Sequence, residues 1–251
     1  MEYIFIHNKP DIVKHVVECG IQVIMVDLEK NGKIERQGHK DTLISNHQIS
    51  DIKLLKSLNL DCDLMVRINP CNLNSKQEIN KISQYINGRV KLNLLFETPK
   101  SLILVDRIIS ECQFDEAHIG LNDLSIAFGI PFMFELLSSG LVEFVSNKFV
   151  DAGIKFGFGG IGTLEKGGLL DPALILSEHA RLKSNRVIIS RSFHKNAQSI
   201  EELNNKMNFK TEFDRLNVKI EEYLNYNKEK LEKNRLNLIE ATNLISNQLA
   251  K

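Results

Sequence analysis

Two apolar runs of this sequence end in acids. "VKLNLLFETPKS" (90–101) stops at Glu97, with Pro99 opening the next segment, and "EAHIGLNDLSIAFG" (116–129) is interrupted by Asn122 and Asp123 where its apolar pattern ends. Two carboxylates brought side by side repel unless a proton or a cation lies between them. An all-oxygen pair suits Mg2+ or Mn2+, which is commonly held by one or two carboxylates with substrate oxygens completing the shell. The plainer role for each acid is local, as a cap on the helix after its strand. Arg67, which follows three apolar residues in "LMVRINP", is costly to bury without an anion. Its partner is either a structural one, Glu97 or Asp27, or a substrate carboxylate or developing enolate oxygen. "MVDLEKNGK" adds Asp27 and Glu29 on one side of a further strand end, with Leu28 turned away. Glu29 is placed to pair with Arg67 or to hold a metal-bound water.

The elements that must position these residues repeat in a simple order. Seven β-rich runs, at 3–8, 22–29, 63–70, 91–98, 116–123, 154–160 and 186–193, alternate with helix-compatible segments. That alternation is the signature of βαβ units and a parallel sheet. "KPDIVKHVVECG" reads as a helix closed by Gly20, and "SKQEINKISQYING" as one opened by a Ser75/Glu78 capping box and closed by Gly88. The spacing predicts an α/β fold, a TIM-type (β/α) barrel whose strand-end acids face its mouth, over residues 1–198. Residues 199–251 contain neither Pro nor Gly. Phe209, Phe213, Leu216, Ile220 and Tyr223, then Leu231, Leu238, Ala241 and Ile245, follow helical spacing there. This C-terminal helical extension either packs back on the barrel or docks in a homo-oligomer.

Composition excludes several classes of function. With 43% hydrophobic residues and Lys plus Arg balanced by Asp plus Glu at 32 each, the 251-residue chain is an ordinary globular protein with no net field toward nucleic acid or an anionic membrane. Cys19, Cys62, Cys71 and Cys112 have neither zinc nor disulfide spacing and read as reduced thiols. No apolar stretch approaches the ~20 residues of a membrane span, and the N-terminus lacks the features of a signal peptide, so the expected location is the cytoplasm. The glycines of "GFGG" (157–160) permit a tight turn, with a phosphate or CoA contact as the alternative. Glu178 and His179 in "SEHARL" read as structural.

Taken in order, "VDLE" (26–29), "VRINP" (66–70), "FET" (96–98) and "GLNDLSIAFG" (120–129) resemble the strand-end motifs of the HpcH/HpaI aldolase and citrate lyase β-subunit family, metal-dependent TIM barrels that cleave or form carbon–carbon bonds. "IERQGHKDTLISNH" (34–47), "FMFELLSSGLVE" (132–143), "KFGFGGIG" (155–162) and "SEHARLKSNRVIISRSF" (177–193) are similar to a subgroup of bacterial aldolase-like proteins, so the resemblance covers most of residues 20–195. It implies a carbon–carbon lyase acting on a small 2-oxo acid, such as a pyruvate or oxaloacetate unit, through a metal-stabilised enolate. Glu97 and Asp123 would hold Mg2+ or Mn2+, Arg67 would neutralise the enolate, Arg67 and Glu97 would contact substrate, and Asp27 and Glu29 would join Arg67 in catalysis. The chain departs from the pattern twice. Lys30 stands where relatives have a His or Asp base, which leaves Lys30, His39 and His47 as candidates. One βα unit is missing between the arginine and glutamate strands, which predicts seven strands in a smaller or a gapped barrel. The alternatives are a catalytically silent barrel kept for binding or assembly, and a CoA-thioester or phosphoenolpyruvate enzyme on the same scaffold.

Overall fold

The structure is a computed structural model that describes residues 1–29, 47–69, 75–165 and 168–249. Seven parallel strands, β1 Glu2–Ile6, β2 Val23–Asp27, β3 Asp63–Ile68, β4 Lys91–Phe96, β5 Glu116–Ile119, β6 Lys155–Ile161 and β7 Arg186–Ile189, form a closed barrel in chain order. Closure is complete, since β1 pairs with β7 through Tyr3 opposite Val187 and Phe5 opposite Ile189. The missing unit leaves no opening: β3 pairs directly with β4, with Arg67 opposite Asn93 and Ile68 opposite Leu94. Most strands stop short of the apolar runs that announce them. The run at 116–123 is the correction that bears on the site, because β5 ends at Ile119 and Asp123 lies in the first turn of a helix rather than at a strand end.

Alternation along each strand divides two environments. Ile4, Val23, Met25, Met65 and Ile188 meet inside the barrel. Tyr3, Phe5, Ile24, Leu94, Phe96 and Phe158 point outward into the larger core beneath the helices. The floor of the barrel is ionic: Nε and Nη2 of the buried Arg186 each donate to Glu116 at 2.6 Å, and Glu2 also meets this guanidinium.

The covering helices are α1 Pro10–Glu18, α2 Ile49–Ser57, α3 Ser75–Ile86, α4 Pro99–Ile103, α5 Val105–Glu111, α6 Leu121–Ala127, α7 Glu135–Ser138, α8 Leu141–Asp151 and α9 Pro172–Arg181. Their ends carry recognisable signals. Thr98 accepts from the Ser101 N–H at the start of α4, and Asp171 accepts from the Ala173 N–H at the start of α9, each ahead of a proline. After α1 the chain turns at Gly20 with φ +108°, and after α3 at Asn87 and Gly88 with φ +45° and +70°. The Ser75 side chain, on which the expected capping box depends, lies outside the described residues.

The C-terminal segment forms α10 Ile200–Lys206, α11 Phe209–Leu224 and α12 Lys228–Leu249, and it packs back on the barrel. Phe209, Phe213, Leu216, Ile220 and Tyr223 are all buried on one face of α11. Phe213 meets Tyr3 edge to face at 4.9 Å, and Phe209 meets Phe5 at 5.8 Å, so α11 covers the outer face of β1. A Cβ on Gly20 would come within 3.3 Å of the Phe213 ring, so the turn after α1 is also fitted to this helix. Leu238, Thr242 and Ile245 bury the inner face of α12 against α7 and α9, and Asn234 Nδ2 donates to Ser177 Oγ at 2.9 Å. Among the described residues, no helix is long and apolar enough to cross a membrane.

This packing has two measurable consequences. Phe213→Ala deletes a buried ring shared by the barrel and α11, and should cost about 3–5 kcal/mol; urea unfolding should show one cooperative transition at a lowered midpoint. His179 on α9 lies flat on Phe158, with ring centroids 3.8 Å apart, and its Nδ1 meets Ser184 Oγ at 3.0 Å. Burial, with a smaller contribution from His118, pushes its pKa down to about 3. Below about pH 6.5 the unfolded chain therefore binds a proton here that the folded chain refuses, and stability falls as pH drops toward 3. The stability of His179→Phe relative to the parent should improve by roughly 1.4 kcal/mol per pH unit through that window, as read from unfolding curves at pH 5 and pH 7.

Candidate metal centre

The ends of β2, β3 and β4 and the start of α6 converge at the mouth of the barrel. Asp27 ends β2 facing inward, and Glu29 follows it on the same side. Carboxylate oxygens of Glu29, Glu97 and Asp123 lie within 4.8 Å of one another, and all three residues are buried. Glu29, expected to pair with Arg67 or to hold a metal-bound water, stands with the two acids expected to hold a cation and also 3.7 Å from Arg67 Nη2.

Arg67 is gripped by Asp27. Nε donates to Oδ1 at 3.1 Å and Nη2 to Oδ2 at 2.8 Å, while Nη2 stands 3.7 Å from Glu29 Oε2. Of the acids open to Arg67 as structural partners, Glu97, Asp27 and Glu29, it is Asp27 that takes both Nε and Nη2. Burial by itself would lower the pKa of this guanidinium, but Asp27, Glu29 and Glu97 outweigh it and raise it above the ordinary arginine value. The β2 end is held further by the Leu28 N–H, which donates to the Arg67 carbonyl at 3.0 Å, and by the Glu29 N–H, which donates to Asp27 Oδ1 at 3.3 Å.

Two asparagines, neither of them read from the sequence as a site residue, orient the acids. Asn69 Nδ2 donates to Glu97 Oε1 at 2.9 Å, and Asn122 Nδ2 donates to Asp123 Oδ1 at 3.1 Å. The signal for Asn69 was available, because it lies two residues beyond Arg67 and therefore on the same side of the strand. Gly120, the N-cap of α6, permits the approach of Asp123: a Cβ there would stand 2.8 Å from Glu97 Cβ. Its N–H donates to the Phe96 carbonyl at 2.9 Å, tying the start of α6 to β4.

Of the candidate bases, Lys30 and His39 lie outside the described residues. His47 Nδ1 accepts the Asp27 backbone N–H at 3.0 Å. That bond places the proton of a neutral ring on Nε2, so in this arrangement His47 supports the end of β2. "GFGG" is part of β6, where Gly159 adopts φ +53°. A separate surface cavity of about 520 Å3 opens at the opposite end of the barrel, among Lys56, Asp63, Arg89 and Lys91, away from the acids.

No model of a known protein family matches the chain, and no curated protein does. Solved structures do match. An HpcH/HpaI aldolase from Desulfitobacterium hafniense DCB-2 aligns with a TM-score of 0.54 at 14% identity, over 75% of this chain and 85% of that one. The chain has the fold of the HpcH/HpaI aldolases. An HpcH/HpaI aldolase/citrate lyase family protein from Burkholderia cenocepacia J2315 aligns at 0.52 and 12% identity, over 82% of this chain and 95% of that one. The citrate synthase SbnG aligns at 0.53 and 12%, over 82% and 92%. The aldolase fold is thus present across most of both chains at an identity that speaks to architecture.

The Arg67–Asp27 pair yields a direct test. Asp27→Asn removes the charge facing a buried guanidinium and should destabilise the protein by about 3–5 kcal/mol, measured by chemical unfolding. Breaking an exposed pair such as Arg107–Glu111 should leave the unfolding midpoint nearly unchanged in the same assay.

Proposed function

We propose that this protein is a metal-dependent carbon–carbon lyase of the HpcH/HpaI aldolase and citrate lyase type, acting on a 2-oxo acid in the cytoplasm. The observation that carries the reading is the convergence of Glu29, Glu97 and Asp123 within 4.8 Å, buried at the barrel mouth beside Arg67. Three carboxylates at that separation suit a hard dication, and an all-oxygen donor set favours Mg2+ or Mn2+ over softer metals. Glu97 and Asp123 are the proposed ligands, with Glu29 within reach of the same position or of a water beside it. The fold likeness and the order of the strand-end motifs support the same assignment.

The bound ion would supply a Lewis acid for the carboxylate and keto oxygen of a pyruvate-like unit. The rest of the chemistry is assigned to the chain's own groups. Arg67 delivers a fixed positive charge toward the oxygen that becomes negative when the carbon–carbon bond breaks. Asp27 sets the plane of that guanidinium by gripping it through two nitrogens. Asn69 and Asn122 each donate to one oxygen, of Glu97 and Asp123 respectively, and so help orient the two carboxylates. In this reading residues 1–198 carry the chemistry, and residues 199–251 complete the burial of β1.

Calorimetry with Mn2+ and pyruvate, combined with exchange of pyruvate methyl protons in D2O, tests the proposal. Glu97→Gln and Asp123→Asn should each abolish metal binding, because an amide of similar shape leaves the dication undercompensated. Arg67→Lys should retain metal but slow exchange by about 10²-fold, on the order of 3 kcal/mol, because it keeps the charge and loses the planar fork. A parent protein that neither binds millimolar Mn2+ nor exchanges pyruvate protons would remove the enzyme reading in favour of a silent barrel.

A further inference from the structure

We propose that His118 is a positioning residue, which sets the placement of Asp123 through a glycine bulge in β6. His118 hydrogen-bonds the backbone of β6 rather than an acid. It points from β5 into the barrel and is 1% exposed. Its Nε2 lies 2.8 Å from the Gly159 carbonyl oxygen. A carbonyl only accepts, so Nε2 bears the proton and Nδ1 is the bare nitrogen. Among the described residues Nδ1 has no hydrogen-bond partner, and it rests against Gly157, where a Cβ would come within 2.9 Å of it. The imidazole therefore lies along β6 from Gly157 to Gly159, in the space left by missing side chains.

β6 is irregular at that point. Its pairing with β7 shifts register between Gly157 and Gly160, and Gly159 has φ +53°. Bulges of this kind bend a strand and re-aim the groups beside it. Gly159 also seats Leu121, since a Cβ there would stand 2.8 Å from Leu121 Cδ1. Leu121 is the first residue of α6, and Asp123 follows in the same turn. The turn is thus located from two sides: β4 holds it through Gly120, and the β6 bulge supports it through Leu121. His118 is the side chain that donates to that bulge.

Packing alone does not account for a histidine here. A buried imidazole with an unsatisfied nitrogen is less favourable than an apolar ring of similar size, whereas the Nε2–H bond to Gly159 supplies a reason for the residue type. Burial first, and Arg67 second, push its pKa down to about 3, so the neutral donor form persists through the ordinary pH range.

The link to a metal depends on the function proposed above, so the experiment reads the clamp in two ways. Mn2+ affinity is measured by calorimetry, and the Leu121 methyl and Gly159 amide signals by NMR, in the parent, His118→Phe and His118→Gln. The Phe variant should weaken Mn2+ binding by about tenfold or more and move both signals. The Gln variant, whose side-chain N–H reaches the same carbonyl, should restore both. Parental affinity and unmoved signals in the Phe variant, even with a lowered Tm, would reduce His118 to a packing residue; so would a Gln variant that restores nothing. If the parent binds no Mn2+, the metal reading fails and the NMR signals alone decide the clamp by the same criteria. Should the Phe variant not fold, Gly159→Ala, which crowds Leu121 and strains the bulge at its left-handed φ, should weaken Mn2+ binding likewise and shift the Leu121 methyl, and parental values for both would overturn the proposal.

Discussion

Like charge confined in a small, poorly solvated space is the constraint around which this protein is built. Glu29, Glu97 and Asp123 share the barrel mouth with Asp27, and Arg67 commits its Nε and Nη2 to Asp27. Unrestrained acids in that position would swing apart toward water, because repulsion strengthens as the surroundings become less polar. They are held by elements that cannot move independently. β2, β3 and β4 are hydrogen-bonded neighbours in a closed ring, and α6 is tied to β4 through the Gly120 N–H. The stability needed to hold such a cluster comes from elsewhere, chiefly the apolar layer between strands and helices.

The barrel interior shows how that layer and the site share one small ring. β1, β2, β3 and β7 fill their part of it with Ile4, Val23, Met25, Met65 and Ile188. On the other side β4 contributes Asn93 beside Leu95, β5 His118 and β6 Gly157, so polar groups and a missing side chain take up much of that interior. Glycine has a specific use at two of these approaches. Gly120 lets α6 come up against Glu97, and Gly159 adopts a left-handed conformation while giving room to Leu121. A barrel of seven strands has little interior to spare, and backbone without a side chain is the most compact way to bring a helix terminus to the mouth.

Closure of the ring also explains the C-terminal helices. Once β7 pairs with β1, the outer faces of Tyr3 and Phe5 need a cover, and α11 brings Phe209 and Phe213 to them. α12 then packs on α7 and α9, with Arg235 reaching Glu143 at 3.1 Å.

Local periodicity made much of this visible in advance. Seven apolar runs correspond to seven strands, and the aromatic spacing after residue 208 corresponds to one buried helix face, because side-chain direction along a strand or helix depends only on sequence position. Asp27, Glu29 and Arg67 were legible as inward groups for the same reason. Asp123 was misplaced because the apolar run continues past the point where β5 stops pairing, and no local pattern marks that point. Glu29 as a third member of the acid cluster, the choice of Asp27 as the partner of Arg67, and the contact between His118 and the β6 bulge were decided only by tertiary structure. Each depends on how far apart two strands lie and how closely one backbone can approach another. Those distances are set by closure of the whole barrel and by the glycines where elements meet, and a sequence read one element at a time contains neither.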